Sequence, residues 1–158
     1  SVVIPPSVKI IGYEAFFENL LTSVIIPKSV VAIDSGAFSK NQLVQVEIQA
    51  SLSKIGFFVF AENKIASIVI PKSVKEIAAG AFLSNALTNV VIPEAVTHIG
   101  YMAFNMNLLE SVVIPRSVEV IEDSAFRGNK LTTVEIPNPK TEIDTYAFDS
   151  AVKIVRTP

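Results

Sequence analysis

Seven phenylalanines stand 22 residues apart along the chain, at Phe16, Phe38, Phe60, Phe82, Phe104, Phe126 and Phe148, with no insertion or deletion between them. The same register aligns seven isoleucines, Ile11, Ile33, Ile55, Ile77, Ile99, Ile121 and Ile143. Six asparagines follow it as well, Asn19, Asn41, Asn63, Asn85, Asn107 and Asn129, until Ala151 breaks the series. A domain built around one central core has no reason to repeat identical residues at a constant interval, whereas a solenoid does, because each coil places the same side chain above the last.

The second coil, from Leu21 to Gln42, reads LTSVIIPKSVVAIDSGAFSKNQ, and the shared skeleton is L-x-x-V-x-I-P-x-S-V-x-x-I-x-x-x-A-F-x-x-N-x. Val and Ile two apart, in a β-branched context, predict a short strand with one face buried. Proline then ends it, having no N–H for a ladder. Ser-Val-x-x-Ile predicts a second short extended or turn segment. The Ala-Phe part lacks a period of two and predicts a single 3₁₀ or α turn. Eight of the skeleton positions, Leu, Val, Ile, Val, Ile, Ala, Phe and Asn, then face inward. Stacking is the arrangement that buries all of them, and at ~4.8 Å per strand seven coils make a rod roughly 33 Å long. An inward Asn in every coil is expected to pair turn N–H and C=O groups that would otherwise be buried alone.

This arrangement accounts for a composition that is otherwise awkward. Half of the 158 residues are hydrophobic and the mean hydropathy is +0.49. Yet no continuous apolar run approaches the ~18 residues of a membrane-spanning helix, so membrane insertion by a helix is excluded. A net charge of −2, with neither sign in blocks, argues against nucleic acid or an anionic membrane as partner. With no cysteine there is no disulfide, thiolate nucleophile or Cys-type zinc site.

The repeated motif L-T-S-V-I-I-P-K-S-V-x-x-I-x-x-x-A-F resembles the BspA-like leucine-rich repeat, over essentially the whole chain. The resemblance implies an α/β solenoid, a right-handed β/α superhelix of seven 22-residue coils with a parallel sheet on the concave side and short 3₁₀ or helical turns opposite. It further implies a cell-surface or secreted bacterial protein that adheres to a host or matrix protein, or to a glycan, with no cofactor and no catalytic residues. Two departures are uniform along the array: the family usually carries Cys where this chain has Asn, and its repeat is often one residue longer. Residues 1–158 read as a single solenoid domain, cut from a longer array at the start and decaying towards a cap at the end. Self-association through open ends or an apolar ribbon is a further expectation.

Outward positions locate the candidate binding surface. Residues alternating with the buried Val and Ile form one column of Val3, Ile25, Glu47, Val69, Val91, Val113 and Glu135, flanked by Ser23, Gln45, Ser67, Asn89, Ser111 and Thr133. An apolar ribbon rimmed by small polar residues marks an interaction surface; the competing reading gives those residues only strand propensity, and the chain is then a spacer without a specific ligand.

After the ladder isoleucine, Gly12-Tyr13-Glu14, Gly56-Phe57-Phe58 and Gly100-Tyr101-Met102 alternate with small-residue triplets in the even coils. Tyr13, Phe57 and Tyr101 are expected to lean over the Gly, Ala or Ser of the next coil. Coil three, where Gln49 replaces Pro and Val59 replaces Ala, is expected to bend or shift locally; Phe57 and Phe58 give it the most aromatic surface. His98, the single histidine, reads as a solvated surface residue, and Glu119, Glu122, Asp123, Glu142, Asp144 and Asp149 as solvated acids without a cation-loop signature.

Overall fold

The computed structural model describes residues 1–156, wound as seven stacked coils with the phenylalanine column on the inside. Successive Phe rings stack with centroids 5.1 to 5.8 Å apart and planes within 12° of parallel. Phe38, Phe60, Phe82, Phe104 and Phe126 are fully buried, together with the ladder isoleucines of coils three to six. Separations of this size are those of offset-stacked aromatics, which gain attraction beyond the area they bury.

Two parallel ladders run along the solenoid. The first comes from the Val-x-Ile segments: β2 (Ser23–Ile26) pairs β4 (Gln45–Ile48), and β9 (Thr133–Ile136) pairs β11 (Lys153–Arg156). In coils four to six the same segments carry no strand pairing beyond a single bridge between Val91 and Val113. The second comes from two-residue strands ending on the ladder isoleucine. Here β1 (Ile10–Ile11) pairs β3 (Ala32–Ile33), and β5 (Lys54–Ile55), β6 (Glu76–Ile77), β7 (His98–Ile99), β8 (Val120–Ile121) and β10 (Glu142–Ile143) form a five-stranded sheet. Every pair is offset by one full coil, Ile55 opposite Ile77 opposite Ile99. The single continuous sheet expected from the motif is therefore two interrupted ones.

The expected helical turns are absent: among the described residues there is no helix of any kind. The reason, in the first six coils, is a pair of left-handed residues in each turn. Glu14, Gly36, Phe58, Gly80, Met102 and Ser124 have φ between +50° and +67°, and so, four positions on, do Glu18, Lys40, Glu62, Ser84 and Met106, with Gly128 at +74°. A left-handed residue cannot continue a right-handed helix. It turns its N–H outward along the solenoid instead, as in Gly36 to Phe57 C=O (2.9 Å) and Lys40 to Ala61 C=O (2.9 Å). Between them Phe38 donates to Val59 C=O at 3.0 Å, and the bonds a turn makes along itself are single three-residue closures, such as Ser39 N–H to Gly36 C=O at 2.9 Å, that do not extend into a helix.

The asparagine column behaves as the sequence predicts. Asn63 Nδ2 donates to the carbonyls of Phe38 (2.9 Å) in the preceding coil and of Phe60 (3.2 Å) and Ala61 (3.1 Å) in its own, while its Oδ1 accepts the Leu43 N–H at 3.0 Å. Asn41, Asn85, Asn107 and Asn129 repeat the pattern. Serine of the Ser-Val step has a similar duty, with Ser73 and Ser117 donating 2.7 Å bonds to the Leu52 and Val96 carbonyls one coil back.

Candidate binding surface

Alternation along the strand segments turns Val69, Val91 and Val113 fully outward, at 83, 74 and 79% exposure, although each sits between buried neighbours such as Ile68 and Ile70. Ile25, Glu47 and Glu135 occupy the same column and are exposed, as are the flanking Ser67, Asn89 and Ser111. Val69 and Val91 further line a groove of about 760 Å³ that is walled mainly by aliphatic side chains, with Lys72 and Glu94 at its rim. This is the stretch where the first ladder lapses. Aliphatic side chains thus stand beside backbone whose polar groups are not committed to a regular sheet, a combination that offers a partner both apolar area and hydrogen bonds.

Phe57 and Phe58 do not belong to that ribbon. They lie in the turn region after the second ladder and point to different neighbours. Phe57 is half exposed, with the Lys54 ammonium 4.4 Å from its ring centroid. The Phe58 ring lies over Gly80, where a Cβ would fall inside its van der Waals envelope.

The expectation that Tyr13, Phe57 and Tyr101 cover the next coil is corrected accordingly, since all three are exposed. The covering is done one position later, by Phe58 over Gly80 and by Glu14, whose Cγ stands 3.1 Å from where a Cβ on Gly36 would be. The left-handed φ at Glu14 and Phe58 is what sends these side chains along the solenoid axis. Tyr13, left outside, has Glu14 as hydrogen-bond acceptor and as a nearby negative charge, and both raise its phenol above the ordinary range.

The acidic residues of the last coils are more structured than a solvated surface. Glu122 holds His98 Nε2 at 2.8 Å through one oxygen and the Tyr101 N–H at 2.6 Å through the other. Asp144 and Asp149 accept the Asp123 and Gly128 N–H groups one coil back, at 3.0 and 2.9 Å. These carboxylates cap backbone donors between coils, and the described residues contain no group of three or more His, Asp or Glu arranged to hold a metal ion. His98 likewise bridges coils five and six through Glu122. No helix of the described residues is long and apolar enough to cross a membrane.

In coil three, where the irregular sequence predicts a local bend or shift, the second ladder is interrupted while the first keeps its register. Strands β3 and β5 do not pair, and between them opens a cleft of about 420 Å³ lined by Tyr13, Asp34, Ser35, Ser53, Lys54 and Phe57. Sequence reasoning singled out Phe57 of this set as a candidate binding residue and Tyr13 only as a packing aromatic. The available signal was the loss of Pro at Gln49 and of the Lys-Ser-Val step in the same coil.

A stack of 22-residue coils with two parallel ladders, an inner Phe column and an Asn spine is a leucine-rich-repeat solenoid. Six copies of the BspA type Leucine rich repeat region match, over residues 1–108 and 31–155, and the chain belongs to that family. A crystal structure of a leucine-rich repeat protein from Bacteroides ovatus is similar over 99% of this chain, with a TM-score of 0.85 and 25% identity. That of the pneumococcal vaccine antigen PcpA is similar over 88%, with a TM-score of 0.67 and 20% identity, a likeness of fold. The chain spans 43 and 42% of the length of these two structures. No curated protein matches the sequence.

Proposed function

We propose that this segment is a non-catalytic binding module of a bacterial cell-surface or secreted protein, and that the Val69, Val91 and Val113 ribbon holds a protein partner. The observation that carries the reading is the coincidence of three consecutive exposed valines with the one stretch where the first ladder lapses and an apolar groove opens. Membership of a BspA-type repeat family and likeness to a pneumococcal antigen support the surface setting.

The test replaces Val69, Val91 and Val113 together by Thr, which keeps β-branching and strand propensity while removing the apolar surface. Immobilised parent and variant are challenged with blood plasma and solubilised extracellular matrix, and their thermal midpoints are compared. A protein retained by the parent and lost by the variant, at unchanged midpoint, supports the ribbon. Equal retention by both, or no retained protein at all, returns the chain to the second reading, a spacer whose valines serve only the strand.

A further inference from the structure

The cleft in coil three is distinct from the valine ribbon and carries its own chemistry. At five other steps of the second ladder, the residue after the isoleucine donates its N–H to the isoleucine carbonyl one coil back. These bonds are Asp34 to Ile11, Ala78 to Ile55, Gly100 to Ile77, Glu122 to Ile99 and Asp144 to Ile121, at 2.8 to 3.0 Å. Among the described residues the matching bond from Gly56 to the Ile33 carbonyl is missing, and so is the bond from Ser53 to the Val31 carbonyl that Lys75 makes to Ser53. All four of these residues line the cleft, which therefore presents two backbone donors and two acceptors without their ladder partners.

Side chains complete the set. Tyr13 and Phe57 stand exposed at the cleft in coils one and three. The carboxylate of Asp34 and the hydroxyls of Ser35 and Ser53, also lining it, have no hydrogen-bond partner among the described residues. Lys54 is already engaged, by Glu76 at 2.7 Å and by the Phe57 ring, so Asp34 is left as the uncompensated charge. An inserted peptide strand does not fit this geometry, because the coils still touch: a Cβ on Gly56 would lie 2.9 Å from the Ile33 oxygen. A fitting ligand sits on the surface, donates and accepts through several short polar arms, offers an apolar ring face to an aromatic, and carries no negative charge towards Asp34.

We propose that this cleft binds a neutral saccharide. Its sugar hydroxyls donate to Asp34 and the Val31 carbonyl and accept from the Ser53 N–H group, while its C–H face rests against Tyr13 or Phe57. A volume of about 420 Å³ falls within the range of small-ligand sites and suits a mono- or disaccharide terminus.

The experiment probes a printed array of defined neutral and acidic glycans with the labelled chain, then titrates the strongest neutral ligand into parent and variants. Binding of a neutral glycan is expected, weakened about tenfold by the Tyr13→Ala, Phe57→Ala double variant, the scale of two lost ring contacts. Asp34→Asn, which keeps shape and one acceptor, weakens it less than Asp34→Ala. The Val69, Val91, Val113 triple Thr variant leaves it unchanged, which separates this site from the ribbon. Should Phe57→Ala lower the thermal midpoint, the two Asp34 variants decide. Absence of glycan binding by the parent, preference for acidic glycans, indifference to the cleft variants, or loss of a protein partner on Phe57→Ala overturns the proposal.

Discussion

Removing one asparagine tests whether the coils are held by their side-chain spine or by aromatic stacking alone. In Asn63→Ala the buried Leu43 N–H loses its acceptor, Asn63 Oδ1 at 3.0 Å. Leaving such a donor unpaired costs about 1–3 kcal/mol. The carbonyls lose less, because each keeps a second amide: Phe38 O retains Asn41 at 3.2 Å and Phe60 O retains Asn85 at 2.8 Å. Adding the small void left by the amide, a total near 2–3 kcal/mol follows. Asn19 is the internal control, since it is exposed and donates only to Phe17 C=O at 3.0 Å; Asn19→Ala should stay within about 0.5 kcal/mol of the parent. Asn63→Cys, the residue the family usually carries there, offers one weak donor and one weak acceptor and should fall between. The assay is urea denaturation followed by far-ultraviolet circular dichroism, with equal slopes required so that midpoints report stability. If Asn63→Ala costs no more than Asn19→Ala, the asparagine spine is incidental and the reasoning fails.

Two further outcomes follow from the turns. Gly80 has φ +63° and lies under the Phe58 ring, so Gly80→Ala meets both backbone strain and overlap and should cost about 2–4 kcal/mol. In a Phe58→Ala background the overlap is gone and the same change should cost only about 1–2 kcal/mol, a coupling read from a double-mutant denaturation cycle. At Tyr13 the phenol is held protonated by the Glu14 hydrogen bond and then by its charge. Followed by NMR of the Tyr13 ring, Glu14→Gln should lower the titration midpoint by removing the charge, and Glu14→Ala should lower it further; an unmoved midpoint in both refutes the pairing.

The irregularity of coil three shows where reading a sequence of this kind loses purchase. Gln49, Leu52 and Val59 announced a disturbance, and Gly56 makes room for the Val59 methyl 3.2 Å from its missing Cβ. Which bonds would break, and that Tyr13 and Asp34 from two other coils would meet Phe57 there, was not written in any one coil. The choice of Phe58 over Phe57 as the ring that lies over Gly80 was equally hidden, because it depends on a left-handed φ that neither residue type advertises.

By itself the sequence determined the period, the inward columns, the Phe stack and the use of Asn. Each of these follows from one residue type recurring at the same place in every coil, where burial leaves a single choice of face. Only the tertiary structure decided that the turns are pairs of left-handed residues and not helical, that each ladder is interrupted, and where the interruptions lie. Those outcomes rest on hydrogen bonds between residues 21 to 23 apart, whose geometry is set by how one coil rotates on the next. Such a rotation is a property of two packed coils, and no local propensity encodes it.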